Sequence, residues 1–175
     1  IAVSGIVRSV YMLVMIPVFA FGATANTLTS RLIGEGKQNE VMPTVFKTIG
    51  QGLIAILPVL LCCLFIPHTV LSIYTDDLVL ADASIPSLLV ICCASIAMSF
   101  GIPLFEAVSG TGNTTNALIL ESVVLIAYTF SVWFFASYIS TRVEWVWTSE
   151  FTYGTLIGLV SWLSLIHISE PTRRV

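Results

Sequence analysis

Five apolar stretches, at residues 10–33, 45–66, 84–105, 117–139 and 146–166, take up nearly all of this chain, and its few charges fall mostly between them. Each holds at least 20 residues, enough at about 1.5 Å rise per residue to cross a hydrocarbon core of roughly 30 Å. Only 10% of the residues are charged, against roughly 25% in soluble domains. A soluble core would not leave ionisable groups so scarce. The chain reads as an all-α membrane protein with five transmembrane helices. Its net charge of −3 is small and scattered, which argues against nucleic acid and leaves the lipid bilayer as the surface it meets.

The loops give an orientation. Gly34-Glu-Gly-Lys-Gln-Asn-Glu40 contains Lys37 and lies between Arg31 and Lys47. Residues 68–82 carry Asp76, Asp77 and Asp82 and no Lys or Arg. By the positive-inside rule the first loop is cytoplasmic and the second external. Residues 110–116 then form a cytoplasmic loop and 140–145 an external one, with Arg8 and Arg142 on the minority side. Trp133, Tyr138, Trp145, Trp147 and Trp162 fall near the expected interfaces, as aromatic belts do.

Pro17, Pro58, Pro86 and Pro103 interrupt three of the spans. Such breaks survive in a membrane where neighbouring helices or water satisfy the freed carbonyls, and they are common in transporters with bending helices. Gly22, Asn26 and Ser30 recur every four residues and share a face of the first span. Glu150, Tyr153, Gly154, Ile157, Gly158 and Ser161 do the same on the last. Such stripes serve either close helix packing with hydrogen bonds across the seam or the lining of a cavity. Asn26, Ser30, Tyr128 and Tyr153 are the candidates for a substrate path.

Glu106, Glu121 and Glu150 are the candidate ion-coupling residues. Carboxylates at such positions face a bundle interior or wet cavity more often than lipid, and they relay protons or bind cations. Glu106 and Glu121 flank one tight loop, so they are expected to approach each other and share a proton. Cys62-Cys63 and Cys92-Cys93 lack the spacing of a zinc or redox motif, and His68 stands alone near an interface. Gly110-Thr-Gly112 joins two apolar helices and follows no strand, so a nucleotide site is not indicated. The sequence carries no catalytic constellation, no metal site and no sign of a cofactor; it does not read as an enzyme.

Four segments together resemble the MATE (multidrug and toxic compound extrusion) transporter family. Ser30-Arg-Leu-Ile-Gly-Glu-Gly-Lys-Gln-Asn-Glu-Val41 is similar to the family's cytoplasmic helix–turn–helix signature. Ser72-Ile-Tyr-Thr-Asp-Asp77 is similar to its external segment, Phe105-Glu-Ala-Val-Ser-Gly-Thr-Gly-Asn-Thr114 to its next cytoplasmic loop, and Val146-Trp-Thr-Ser-Glu-Phe-Thr-Tyr153 to its last helix. The resemblance implies twelve helices in two six-helix lobes, with residues 1–162 as helices eight to twelve of the second lobe and the first lobe missing from this sequence. It implies a multi-pass protein of the plasma (inner) membrane. It further implies antiport, in which a Na⁺ or H⁺ gradient drives export of drugs or organic cations by alternating access. A lipid-linked oligosaccharide flippase and a structural membrane subunit are the competing readings. Gly34 and Gly36 are expected to leave the first helix through positive φ. No ionisable Asp or Glu lies between Ile85 and Leu104, so the family's deep second-lobe carboxylate has no counterpart here.

Leu163-Ser-Leu-Ile-His-Ile-Ser-Glu-Pro-Thr-Arg173 resembles the in-frame translation of a transposase sequencing adapter, and residues 163–175 are set aside as a non-native tail. The chain begins within an apolar stretch and without Met, so truncation at both ends is expected. The tail is expected to continue the last helix and become irregular near Pro171.

Overall fold

The computed structural model describes residues 2–139 and 143–169. In chain order the helices are α1 (Ala2–Gly34), α2 (Val41–Phe65), the short α3 (Pro67–Leu71), α4 (Leu78–Gly110), α5 (Thr114–Phe134) and α6 (Val143–Ser169). A 3-10 turn, Gln38–Glu40, precedes α2, and a π-helical turn, Phe135–Ile139, continues α5. No strand occurs among the described residues. The all-helical expectation holds. Among those residues, four helices are long and apolar enough to cross a membrane: α1, α2 with its leading turn, α4, and α5 with part of its π turn. The fifth expected span is present as α6, whose 27 residues suffice in length. Its first half mixes in Glu144, Thr148, Ser149, Glu150 and Thr152, so on composition it stands apart from the other four.

Local chemistry sets the helix ends. α1 closes in a Schellman motif: Gly36 N–H donates to the Ile33 carbonyl at 3.0 Å and Lys37 N–H to that of Leu32 at 2.8 Å. Gly36 takes φ +73°, whereas Gly34 remains helical, so the reversal rests on one glycine and not two. Asp77 caps α4 by accepting from Val79 and Leu80 N–H, and Asn113 caps α5 by accepting from Asn116 N–H. Pro67, without an N–H and at the first helical turn, ends α2 and opens α3. Pro17, Pro58, Pro86 and Pro103 all lie inside continuous helices. Each helix continues through its prolines.

α4 is the hub. α1 packs along one side of it and α6 along another, α2 lies against α1 and α4, and α5 rests mainly on α6. Glycine makes these approaches possible. A methyl group at Gly101 would lie 2.5 Å from the Gly154 carbonyl oxygen, and one at Gly154 would lie 2.9 Å from Met98 N. On the other side, a methyl at Gly110 would lie 2.5 Å from the Asn26 carbonyl oxygen, and one at Gly22 would press on Ile102 and Glu106. Both small-residue stripes therefore serve as seams against α4. In lipid, where apolar burial gives helices no reason to associate, such contact brings the dispersion and hydrogen bonding that hold them together.

The core divides into two clusters. One gathers Val10, Val14, Met15, Ile56, Leu88 and Ile91 around the half holding the α2–α4 connection. The other gathers Val45, Ile49, Leu104, Ala107, Ala117 and Leu165 at the opposite end. Ser30 Oγ donates to the Gly110 carbonyl at 2.8 Å, so the ends of α1 and α4 meet. The two loops read as cytoplasmic thus lie on one side. Leu165, within the adapter-like segment, is 1% exposed, and the helix continues to Ser169. Pro171 falls outside the described residues.

Gly101→Leu would force α4 and α6 apart; overpacking of this kind costs about 1–3 kcal/mol or more. The thermal unfolding midpoint of the purified protein should fall clearly. Gly5→Leu, at a position with open space around it, should leave that midpoint unchanged.

Candidate functional site

Two carboxylates are drawn between helices. Glu106, half-buried near the end of α4, accepts from Asn26 Nδ2 on α1 at 2.9 Å. The bond spans the seam that Gly22 and Gly110 bring close, and Ser30 extends it by one turn. Glu106, Asn26 and Ser30 thus form one polar strip inside the α1–α4 contact.

Glu150 is the more connected of the two. It stands two turns into α6, about 10 Å from the start of that helix, and is half-buried. Its Oε2 accepts from Tyr11 Oη of α1 at 3.0 Å and its Oε1 from Tyr128 Oη of α5 at 2.7 Å. Three helices therefore converge on one carboxylate. Aromatic rings surround it: Tyr11 meets Trp147 edge-on at 5.7 Å between centroids, and Tyr128 meets Tyr153 edge-on at 5.6 Å. A cavity of about 300 Å³ adjoins it, lined by Ser4, Tyr128, Val132, Val146, Trp147, Ser149 and Glu150. Among the described residues Glu150 is the charged residue in that lining, while Arg31 and Lys37 pair with Glu35 at the far loop. A carboxylate with phenolic donors and aromatic walls, and with no basic partner among the described residues, is chemically suited to take a proton or a small cation.

Glu106 and Glu121, expected to pair, each have another neighbour. Glu106 is taken up by Asn26, while Glu121 is on an exposed part of α5. The reason is packing: α5 rests on α6 and touches α4 little, although a tight loop joins α4 to α5. Glu121 comes within electrostatic range of Tyr153 instead. Of the candidates for a substrate path, Tyr128 and Tyr153 gather at Glu150, whereas Asn26 and Ser30 belong to the α1–α4 seam. Tyr11 and Trp147 complete the Glu150 cluster and were not singled out in the sequence as site residues. A lone phenol amid apolar residues has to find a hydrogen-bond partner when buried, which is the signal Tyr11 carried. Trp147 packs on Tyr11 where a belt residue was expected; Trp133, Tyr138, Trp145 and Trp162 are exposed.

The charged loop after α1 behaves differently. Lys37 Nζ and Arg31 Nε both donate to Glu35 at 2.8 Å. The Lys37 ammonium first, then the Arg31 guanidinium, holds the Glu35 carboxyl down at about 2. Stability from a lowered carboxyl is present above its ordinary range and is lost as the pH falls through the folded value. Here the loss runs from the ordinary carboxylate range down to about 2, so Glu35 stays charged at neutral pH and does not sense it. Separately, an apolar groove of about 630 Å³ runs between α2, α4 and α6, with Gly154, Gly158 and Ala97 beside Phe46, Phe100, Phe151 and Trp162.

Apolar helices joined by short loops, with carboxylates shared between them, define a multi-pass helical membrane protein of the transporter class. The family model MatE matches residues 1–133, and the chain belongs to this family of MATE transporters. The matched segment holds Tyr11, Asn26, Glu106, Glu121 and Tyr128; Glu150 and Tyr153 lie beyond it. No curated protein and no solved structure matches the chain.

Asn26→Leu would strand the half-buried Glu106 carboxylate, at a cost of about 1–3 kcal/mol. The double variant with Glu106→Met should cost less than the sum of the singles, by about 0.5–3 kcal/mol of coupling in a double-mutant cycle of thermal stability. Glu35→Gln should leave the unfolding midpoint at neutral pH within error, because its ion pairs are fully exposed and screened.

Proposed function

We propose that residues 1–162 are helices eight to twelve, part of the second lobe, of a cation-coupled antiporter of the plasma membrane, which exports drugs or organic cations by alternating access. Glu150 is the coupling carboxylate of this lobe, and H⁺ or Na⁺ is the ion it exchanges. The observation that carries the reading is the Glu150 cluster: a half-buried carboxylate joined to α1 and α5 by two phenols, beside a cavity of about 300 Å³. Membership of a transporter family supplies the general activity.

Physically, an uncompensated anion away from water is costly, and a proton or cation removes that cost. Exchange of the neutralising ion across the membrane then biases the helices that share the carboxylate, because each ligand favours the state it binds better. The rings of Trp147 and Tyr128 offer π faces to an organic ammonium, which Glu150 attracts by charge. Glu106 has a fixed amide donor in Asn26 and serves the seam first; Glu121, exposed on α5, contributes least.

The test is gradient-driven ethidium export by the full-length polypeptide in liposomes. Glu150→Gln should reduce export at least tenfold, Glu150→Asp less so, and Glu121→Gln hardly at all. Wild-type export with unchanged pH and Na⁺ dependence in a Glu106→Gln/Glu150→Gln double variant would eliminate the reading.

A further inference from the structure

α5 is the long helix least attached to the bundle. About 6% of its apolar span is buried, against 50% in α4 and 39% in α1. Its buried side chains are Ala117 and Val124, and it contains no glycine, so the close backbone approaches that bind α1 and α6 to α4 are not available to it. Its hydroxyls turn inward on the helix itself: Ser122, Thr129 and Ser131 donate to the carbonyls of Leu118, Leu125 and Ala127. Tyr128 is the α5 residue that reaches another helix: its Oη donates to Glu150 Oε1 at 2.7 Å, with the Ser149 hydroxyl of α6 also beside it. The other oxygen of that carboxylate holds Tyr11 on α1.

We infer that Tyr11 and Tyr128 are positioning residues which make Glu150 a charge-operated latch, tying α5 to α1 and α6 while the carboxylate is ionised and releasing α5 when a proton neutralises it. This deepens the role proposed above for Glu150 and rests on it for its place in the transport cycle. The physical basis is the donor count. An ionised carboxylate is acceptor-only and takes a hydrogen bond from each phenol at once. A neutral carboxylic acid keeps one carbonyl acceptor and gains an O–H that must itself donate, so one phenol has to turn away or accept. Bonds to the charged form are also roughly twice as strong as neutral ones. α1 and α6 lose little by this, since their glycine seams against α4 remain. α5 has no such seam, so the weakening of its charge-assisted bond to Glu150 falls on the main polar contact that holds it.

Among the described residues, the ionisable groups on the elements around Glu150 are these, with Glu144 lying nearer the start of α6. Tyr11 faces it from α1 and Tyr128 from α5, Tyr153 stands a turn along α6 in range of Glu121, and Arg8, one turn before Tyr11, is exposed. α4 contributes no Asp, Glu, Lys, Arg or His between Ile85 and Leu104, only Cys92 and Cys93.

Spin labels carried by non-natural amino acids at positions 126 and 54, both exposed, on α5 and α2 respectively, would follow the latch in the full-length protein in nanodiscs by pulsed distance measurement. One short distance is expected at high pH, with a second population several ångströms longer growing as the pH falls. Glu150→Gln should show the longer population at every pH, and so should Tyr128→Phe, which keeps the ring and removes only the donor. A distance that ignores pH and both substitutions overturns the latch, as does a pH response that survives unchanged in Glu150→Gln. Ethidium export read on the same variants separates the two ideas. Export lost in Glu150→Gln with unmoved distances leaves coupling standing without the latch; shifted distances with wild-type export leave the latch without coupling.

Discussion

Close approach of helix backbones at glycine is the constraint on which this structure depends. Between apolar helices in lipid there is no water to expel, so association rests on dispersion and on polar groups that find partners. Both improve steeply as backbones come together. Gly101, Gly154 and Gly158 make this possible between α4 and α6, and Gly22 and Gly110 do so between α1 and α4. Remove these contacts and α4 no longer organises its neighbours, and Asn26 no longer reaches Glu106.

The polar groups divide accordingly. Most hydroxyls in the spans satisfy themselves within their own helix, as Ser84, Ser95 and Ser99 do on α4 by donating to the preceding turn. They add no specificity between helices. Asn26, Ser30, Tyr11 and Tyr128 are different because each bonds to another helix. The first two lie where the backbones are already close and reinforce a seam. Tyr11 and Tyr128 reach across a wider space on longer side chains, and that space leaves room for the cavity beside Glu150. Packing and function thus occupy different kinds of interface. The α1–α4 and α4–α6 seams are tight and rigid, whereas the α5–α6 face is loose and held by a carboxylate.

Much of this was legible in the sequence, because the terms involved are local. The apolar stretches gave the long helices, since a backbone in lipid must satisfy its own hydrogen bonds. The Lys and Arg distribution placed the first and third loops on one side, and the Ser30–Gly110 contact agrees. The four-residue period of Gly22, Asn26 and Ser30 gave a shared face, and the Gly-x-Gly turn gave the exit from α1. One local inference failed: Gly34 does not leave the helical region, because Gly36 alone completes the Schellman closure.

What the sequence by itself determined, then, is the number of long helices, their class, their loops and the faces on which small residues lie; all follow from hydropathy and from periodicity along one chain. Which helix those faces meet was decided only by tertiary packing. A short loop between α4 and α5 suggested that Glu106 and Glu121 would be neighbours, yet α5 settles on α6 and Glu106 bonds to Asn26 of α1. The pairing of Glu150 with Tyr11, 139 positions away, has no local signature beyond a phenol and a carboxylate each in need of a partner. Their meeting depends on how close α1 and α6 stand to α4, and that distance is fixed by glycines on all three helices together.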